Sequence, residues 1–345
     1  MKAILLKRSL PDGPPKAELS EVPVPIIGQG EVLVEMKACG LCGTDIEKLR
    51  GEYKAAMPVV GHEAVGVVSS VGEGVRGLRE GDRVFPHHHV PCYACYYCRH
   101  GDETVCSQYK VSNLDPGGFS EYMRVPRWNV ERGAVLHIPG GVTFDEAALV
   151  EPLACCVRAL DRCRVSAGDT VLVVGAGPVG MMQALLLGSA KVGIIISDVV
   201  KPRLKFAESA SVGSVLDAGK QNVPEVVKNE TERRGADLAI VASGSQRAVM
   251  QAVLSVRKGG TVCLFGVPVE GAVLAYELSK VYNSSISMVP SYGAVETDTA
   301  KAMAVIASRH VEFGRLITHR FRLEEFKEGI QMMTSGEAMK VVIAP

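Results

Sequence analysis

Neither sign of charge is in excess in this sequence: 38 lysines and arginines face 38 aspartates and glutamates, a formal net charge of +0 at pH 7. No basic stripe or acidic run stands out, which argues against nucleic acid or an anionic membrane as partner and favours small, uncharged or moderately polar ligands. A long unbroken apolar run is missing too. The longest, between Val171 and Leu187, is interrupted by Gly175, Gly177, Pro178 and Gly180, so no membrane-spanning helix is expected. The opening MKAILLKRSLPDGPPKAE lacks the apolar length and the small-residue cleavage site of a signal peptide. It reads as a strand and turn, and a cytoplasmic location is expected. Internal repeats and low-complexity tracts are absent. In a reducing compartment the 10 cysteines should be thiols or metal ligands, not disulfides.

What is present divides into two grammars. A chain of 345 residues has room for two domains, each with its own core. From about Gly30 to Val130, short alternating runs such as EVLVEMKA and AVGVVSSVG are punctuated by glycine and proline, the pattern of an irregular β-rich domain. After Glu151, buried-strand runs alternate with helical segments: TVLVVG from Thr170, VGIIISD from Val192, SVLDA from Ser214, DLAIVAS from Asp237, GTVCLFG from Gly260 and SISMVPS from Ser285. That alternation predicts an α/β fold with a doubly wound parallel sheet. Helices are predicted around Thr299 to Ser308 and from Leu323 to Met333, followed by a closing strand in KVVIAP.

The first of the six strands ends in GAGPVG. Gly175, Gly177 and Gly180 have the spacing of a dinucleotide fingerprint, with Pro178 and Val179 opening the next helix. The following strand ends in Asp198, at the place where a carboxylate accepts hydrogen bonds from a free ribose 2′-hydroxyl and repels a 2′-phosphate. NAD is therefore expected over NADP, although Lys201 and Arg203 lie just beyond. Gly266, closing the fifth strand, joins the candidate cofactor-binding residues.

PHHHVPCYACYYC, from Pro86 to Cys98, is the densest group of metal-binding side chains. Cys92, Cys95, Cys98 and Cys106 can close a tetrahedron of thiolates, which describes a saturated structural zinc site in a loop of about residues 90–107. A redox CxxC pair is the weaker alternative. A catalytic zinc needs an exchangeable position, so its ligands are sought elsewhere. GLCGTD offers Cys42, Thr44 and Asp45; GHEAVGVV offers His62 and Glu63; LVEPLACC offers Glu151. By spacing alone each is ambiguous, since a lone cysteine is commonly a core thiol. His87 and His88 read as an alternating strand with exposed or packed imidazoles, whereas for His89 packing and substrate contact weigh equally. Cys39, Cys155, Cys156, Cys163 and Cys263 read as small hydrophobic residues.

GLCGTD, GHEAVGVV, GDRV, the four-cysteine loop, EPLA, GAGPVG and LITHRF, in this order along essentially the whole chain, resemble the zinc-dependent medium-chain alcohol dehydrogenases. The sorbitol, galactitol-phosphate and threonine dehydrogenase branch is the nearest in style. The resemblance implies a GroES-like catalytic domain from residues 1–152 and 290–345, a Rossmann domain from 153–289, and an active-site cleft between them. It implies Cys42 and His62 as catalytic zinc ligands, Glu63 as the adjacent carboxylate that binds or swaps onto the metal, and Glu151 as the acid that replaces a cysteine of the liver-type enzymes. It further implies Thr44 as the hydroxyl that passes the substrate proton, Asp45 as the acid orienting His62, and Arg203 near the adenosine ribose. Glu47 stands where a histidine often ends the proton relay, so Glu47, His89 or water takes that role. The expected reaction is hydride transfer between NAD(H) and a secondary alcohol or ketone, a polyol or sugar-like compound above all. A threonine-type amino-alcohol dehydrogenase is the alternative, and a non-catalytic NAD-binding regulator a third. The branch also implies a homodimer or homotetramer.

Overall fold

The computed structural model describes residues 1–7, 15–51, 60–268 and 270–345. The turn expected after the opening strand lies outside them. The chain forms two compact units, one from Met1–Ala154 with Ala294–Pro345 and the other from Cys155–Gly293.

In the first unit β1 (Lys2–Lys7) pairs antiparallel with β2 (Lys16–Glu21). β3 (Val32–Gly40), β4 (Glu63–Val71), β5 (Arg83–Pro86), β6 (Tyr122–Val125) and β7 (Val135–His137) follow. The second unit contributes β8 (Thr170–Val174), β9 (Gly193–Asp198), β10 (Ser214–Asp217), β11 (Ala236–Val241), β12 (Val256–Leu264) and β13 (Ser287–Pro290). The chain then returns to the first unit with β14 (Ile317–Arg322) and β15 (Lys340–Ala344). The main sheet of the first unit runs β14-β15-β3-β4-β5-β7, with β6 also paired to β3. Apolar residues alternating along β3 and β4 meet Phe119, Met123, Leu323, Phe326 and Val341 in one core. Burying that face is what holds the terminal strand β15 against β3.

The second unit is a six-stranded parallel sheet of order β10-β9-β8-β11-β12-β13. Each of the six predicted strands is present. The order reverses between β8 and β11, the topological switch point at which open α/β sheets of this kind bind dinucleotides. Helices Pro178–Leu187, Lys201–Ala210, Val223–Glu230, Gln246–Ser255 and Leu278–Ser284 connect the strands. Strands such as β8, buried along nearly their whole length, read as continuous apolar runs because both sheet faces are covered.

Two helix boundaries differ from the sequence expectation. The helix placed at Thr299–Ser308 begins earlier, at Glu296, because Asp298 Oδ2 accepts the Val295 N–H at 2.9 Å and caps the first turn. The helix placed from Leu323 starts at Phe326; Leu323–Glu325 forms a tighter 3-10 turn, with Glu325 Oε2 accepting the Arg322 N–H at 2.8 Å.

Candidate metal centres and dinucleotide site

Cys42 is the residue before the helix Gly43–Arg50, directly after β3, and His62 and Glu63 sit at the start of β4. β3 and β4 are antiparallel neighbours with Gly40 opposite Glu63, so residues 20 positions apart converge at one end of the sheet. One ligand atom from each of Cys42, His62 and Glu63 lies within 4.8 Å of the others. A thiolate, an imidazole and a carboxylate at this separation suit zinc with a position left open. Oε1 of Glu63 has no hydrogen-bond partner among the described residues.

Asp45, fully buried, holds this corner together. Its Oδ2 accepts the Cys42 N–H at 3.1 Å, its Oδ1 accepts the Gly61 N–H at 3.1 Å, and Oδ1 lies 3.5 Å from His62 Nδ1. Burial by itself would raise its carboxyl, but the charge and contact of His62, with smaller help from Lys48 and the Gly61 amide, hold it down to about 2. An ionised Asp45 turned to one ring nitrogen leaves the other for a metal. Thr44 and Glu47 are half-buried on the same helix.

Lys340, which sequence reasoning missed, completes the site. Its ammonium pairs with Glu63 Oε2 and donates to the Leu41 carbonyl at 3.1 Å. Lys340 and Glu63 are 3% and 0% exposed, so this is a fully desolvated ion pair. β15 pairs with β3 and β3 with β4, which carries Lys340 across two strands to Glu63. Between them Gly40 leaves room for the pair: a Cβ there would stand 1.8 Å from Glu63 Oε2, so the carboxylate would have to move aside. Burial lowers the lysine's proton affinity, but the Glu63 carboxylate outweighs it and Lys340 is held above its ordinary pKa. Lys340→Met should cost about 3–5 kcal/mol in chemical denaturation by stranding a buried carboxylate, and adding Glu63→Gln should recover part of the loss. Equal stability of Lys340→Met and wild type would refute the pairing. The signal was a lone lysine opening the apolar strand KVVIA.

The histidine run departs from the alternating strand expected of it. β5 stops at Pro86, because side chains capture the following backbone: Asn129 Nδ2 donates to the His87 carbonyl at 2.8 Å and to that of His88 at 3.2 Å, while the Val90 N–H donates to Ser112 Oγ at 2.7 Å. His87 and His88 are both buried, at 0% and 9% exposure. The His88 ring lies 5.1 Å from that of His62. Glu151, on the first turn of the helix Val150–Cys163, has a carboxylate oxygen within 4.8 Å of ring nitrogens of His87 and His88. Among the described residues the metal-competent groups thus place Glu151 with these histidines and Glu63 with Cys42 and His62. His89 Nδ1 faces the Ser112 carbonyl at 3.1 Å, and burial, eased slightly by that bond, takes its pKa down to about 3, which keeps the ring neutral.

Cys92, Cys95, Cys98 and Cys106 gather their sulfurs within 4.8 Å, with Cys95 Sγ 3.5 Å and Cys92 Sγ 4.0 Å from Cys98 Sγ. Four Zn–S bonds of about 2.3 Å require sulfurs about 3.8 Å apart, so the loop fits zinc. The Ala94 and Cys95 amides donate to Cys92 Sγ and hold that thiol down to about 6, whereas burial and then the neighbouring thiols push Cys98 up to about 12. Tyr109 fixes the loop to the rest of the unit: its hydroxyl donates to the Ala294 carbonyl at 2.7 Å and accepts the Ala294 N–H at 3.2 Å.

In the second unit β8 runs into Gly175, whose φ of 109° suits glycine, and the helix opens with Pro178 and Val179. A Cβ on Gly180 would meet the Gly175 carbonyl at 1.8 Å, which is why helix and turn can pack this closely. Asp198 ends β9. Its Oδ2 accepts the Ala176 N–H at 2.7 Å and its Oδ1 the Val199 and Val200 N–H groups at 2.7 and 2.8 Å, locking the turn before any ligand binds. Arg203 Nη1 lies 3.9 Å from Asp198 Oδ2, its guanidinium beside Gly177. The Gly266 N–H donates to the Val241 carbonyl at 2.8 Å. The amides at the N-terminus of the Pro178–Leu187 helix form a cradle for a pyrophosphate.

A dinucleotide-type sheet in one unit and two zinc-competent clusters in the other are the parts of a zinc-dependent, nicotinamide-linked dehydrogenase. Comparison with known proteins agrees. Residues 28–136 match the family model of the alcohol dehydrogenase GroES-like domain, and residues 178–308 that of the zinc-binding dehydrogenases. Sorbitol dehydrogenase of Halalkalibacterium halodurans is 31% identical over 95% of this chain and 95% of its own. L-threonine 3-dehydrogenase of Escherichia coli K12 is 30% identical over 94% of this chain and 95% of its own. The structure of the alcohol dehydrogenase of Thermus sp. ATN1 superposes with a TM-score of 0.87, covering 100% of this chain and 99% of that one at 26% identity. The chain belongs to the zinc-dependent medium-chain dehydrogenase family.

Proposed function

We propose that the protein transfers hydride between NAD(H) and a secondary alcohol or ketone, with a polyol or sugar-like compound as substrate. The observation that carries this reading is the Cys42–His62–Glu63 group, in which a carboxylate stands where a second thiolate would make a less polar site. A polar, hydrated centre suits a substrate whose neighbouring hydroxyl also seeks the metal. The similarity to a sorbitol dehydrogenase points the same way.

Cys42, His62 and Glu63 hold the catalytic zinc in this reading, with Glu151 close at hand, and Cys92, Cys95, Cys98 and Cys106 hold the structural one. Bound there, zinc supplies a Lewis acid that lowers the pKa of the substrate hydroxyl. Asp45 keeps the His62 ring turned for coordination. Thr44 takes up the hydroxyl proton and passes it on to Glu47 or to water, whereas His89, its pKa down to about 3, is a poor acceptor for it. The domain of residues 1–152 and 290–345 carries this chemistry, and the domain of residues 153–289 binds the cofactor through Gly175, Gly177, Pro178, Val179, Gly180, Asp198, Arg203 and Gly266. Asp198, anionic and buried, disfavours a 2′-phosphate.

A panel of polyols, aldoses, simple secondary alcohols and L-threonine with both cofactors tests the reading. Polyols should be the best substrates, and NAD⁺ should outperform NADP⁺ in their oxidation, as NADH should NADPH in the reverse reaction, by about tenfold or more, the equivalent of ~1.4 kcal/mol. Ethanol or benzyl alcohol exceeding every polyol, or a clear NADPH preference, would overturn the corresponding half. Turnover of L-threonine above all polyols would favour the amino-alcohol reading, which the similarity to L-threonine 3-dehydrogenase keeps in play. We further propose a cytoplasmic homodimer or homotetramer. Val273, Leu278 and Tyr282, 71%, 79% and 82% exposed, leave apolar surface near the edge strand β13 for such an assembly.

A further inference from the structure

We propose that Cys163 and Cys263 are a redox-active thiol pair, which hydrogen peroxide closes to a reversible disulfide that staples the second unit. The site is independent of the hydride-transfer reading and uses none of the candidate metal ligands. Both residues read from the sequence as small hydrophobic side chains, but the fold brings their sulfurs into contact.

Cys263 lies within β12, opposite Ile240 of β11 and Val289 of β13. Its neighbour Val262 belongs to the core on one face of the sheet and Leu264 packs against that core, so alternation turns Cys263 to the other face, where it is 0% exposed. Cys163 is the last residue of the helix Val150–Cys163 and is half-buried. The Cys263 thiol donates a hydrogen bond to the Cys163 sulfur. Directly after it, Arg164 has a φ of 52°, and its N–H donates to the Leu160 carbonyl at 3.2 Å, which ends the helix there. The last turn of a helix yields more easily than its centre, so the sulfurs can close from contact to a bonding distance of about 2.05 Å.

The two thiols differ as an attacking and a resolving sulfur must. The hydrogen bond from Cys263, helped by the charge of Arg162, holds the Cys163 thiol below its ordinary pKa against the opposing effect of burial. The same hydrogen bond, and then burial, push Cys263 up. Cys163, reached by solvent and the more readily ionised, attacks first. Its thiolate forms an S–O bond as the O–O bond of the peroxide breaks, and the leaving hydroxide takes up a proton to become water. The Cys263 sulfur then attacks the sulfenic sulfur. An S–S bond forms, the S–O bond breaks, and hydroxide departs with the Cys263 proton as a second water. The two thiols together lose two electrons, and the peroxide gains them.

Cys156 is the competing partner. It lies two helical turns before Cys163 on the same helix face, and its charge reaches Cys263. Its own thiol, however, donates to the Val179 carbonyl at 3.6 Å.

Peptide mapping of the zinc-loaded, full-length protein tests the assignment. After brief treatment with hydrogen peroxide and alkylation of the remaining thiols, non-reducing digestion should yield a Cys163–Cys263 linkage as the main disulfide product. The intact mass should fall by two hydrogens and recover with dithiothreitol. Closing a loop of about 100 residues restricts the unfolded chain, so the oxidised protein should melt about 5 °C or more above the reduced one. That gain should be absent from C163S and from C263A, the second of which keeps a small apolar side chain in the strand. Cys163 left free, Cys163 driven to sulfinic acid without a cross-link, a Cys156–Cys263 linkage in its place, or a linked pair that melts no higher than the reduced protein would each overturn the proposal.

Discussion

Cys42→Ser should reduce kcat/KM by at least about 10³-fold, a loss of ~4 kcal/mol of transition-state stabilisation, and remove one zinc per chain. The oxygen of serine is a poor zinc ligand at neutral pH, because it stays protonated where a thiol beside a metal ionises outright. The fold should not register the change. The Cys42 N–H, which Asp45 Oδ2 accepts at 3.1 Å, is retained, and serine is a preferred residue at the head of the helix Gly43–Arg50. The thermal midpoint should therefore stay within a few degrees of wild type. Full zinc content with full turnover would remove Cys42 from the catalytic site.

Cys98→Ser should behave in the opposite way. Cys98 is 9% exposed and packs with Cys106, Tyr109 and Val295, so the loop's small core consists largely of its own candidate metal ligands. Structural zinc contributes roughly 10–16 kcal/mol to domains that depend on it; forfeiting even ~4 kcal/mol would lower the midpoint of a unit this size by roughly 8–16 °C. Turnover measured well below that midpoint should fall less than stability does. The damage should extend beyond the loop, since Tyr109 ties it to Ala294 and Tyr93 to Glu296 at the head of the helix Glu296–Ala307. Unchanged stability with lost turnover would mean that the loop serves chemistry and not architecture.

Local features were legible before any coordinates. The four cysteines lie within one loop, the glycines of the fingerprint within one turn, and the central parallel strands β8, β9 and β11 announce themselves because burial on both faces demands an unbroken apolar run. The same reasoning failed where a residue's surroundings are remote in the chain. The Lys340 side chain reaches Leu41, 299 positions earlier, and nothing near Lys340 marks it as the partner of Glu63. His87 and His88 are packed, as one form of the expectation had it, but not in a strand, because Asn129 and Ser112 take up their carbonyls and turn the backbone aside.

By itself, then, the sequence determined the two kinds of domain, the cysteine loop and the dinucleotide turn, all of which depend on short-range spacing and on periodicity. Only the tertiary structure decided which candidate ligands meet. It set Glu63 with Cys42 and His62 across β3 and β4, Glu151 with His87 and His88, and Lys340 between the first group and the end of the chain. The physical reason is that metal-binding groups are assembled by sheet register and by the capture of loop backbone, and both depend on partners that lie far away along the chain.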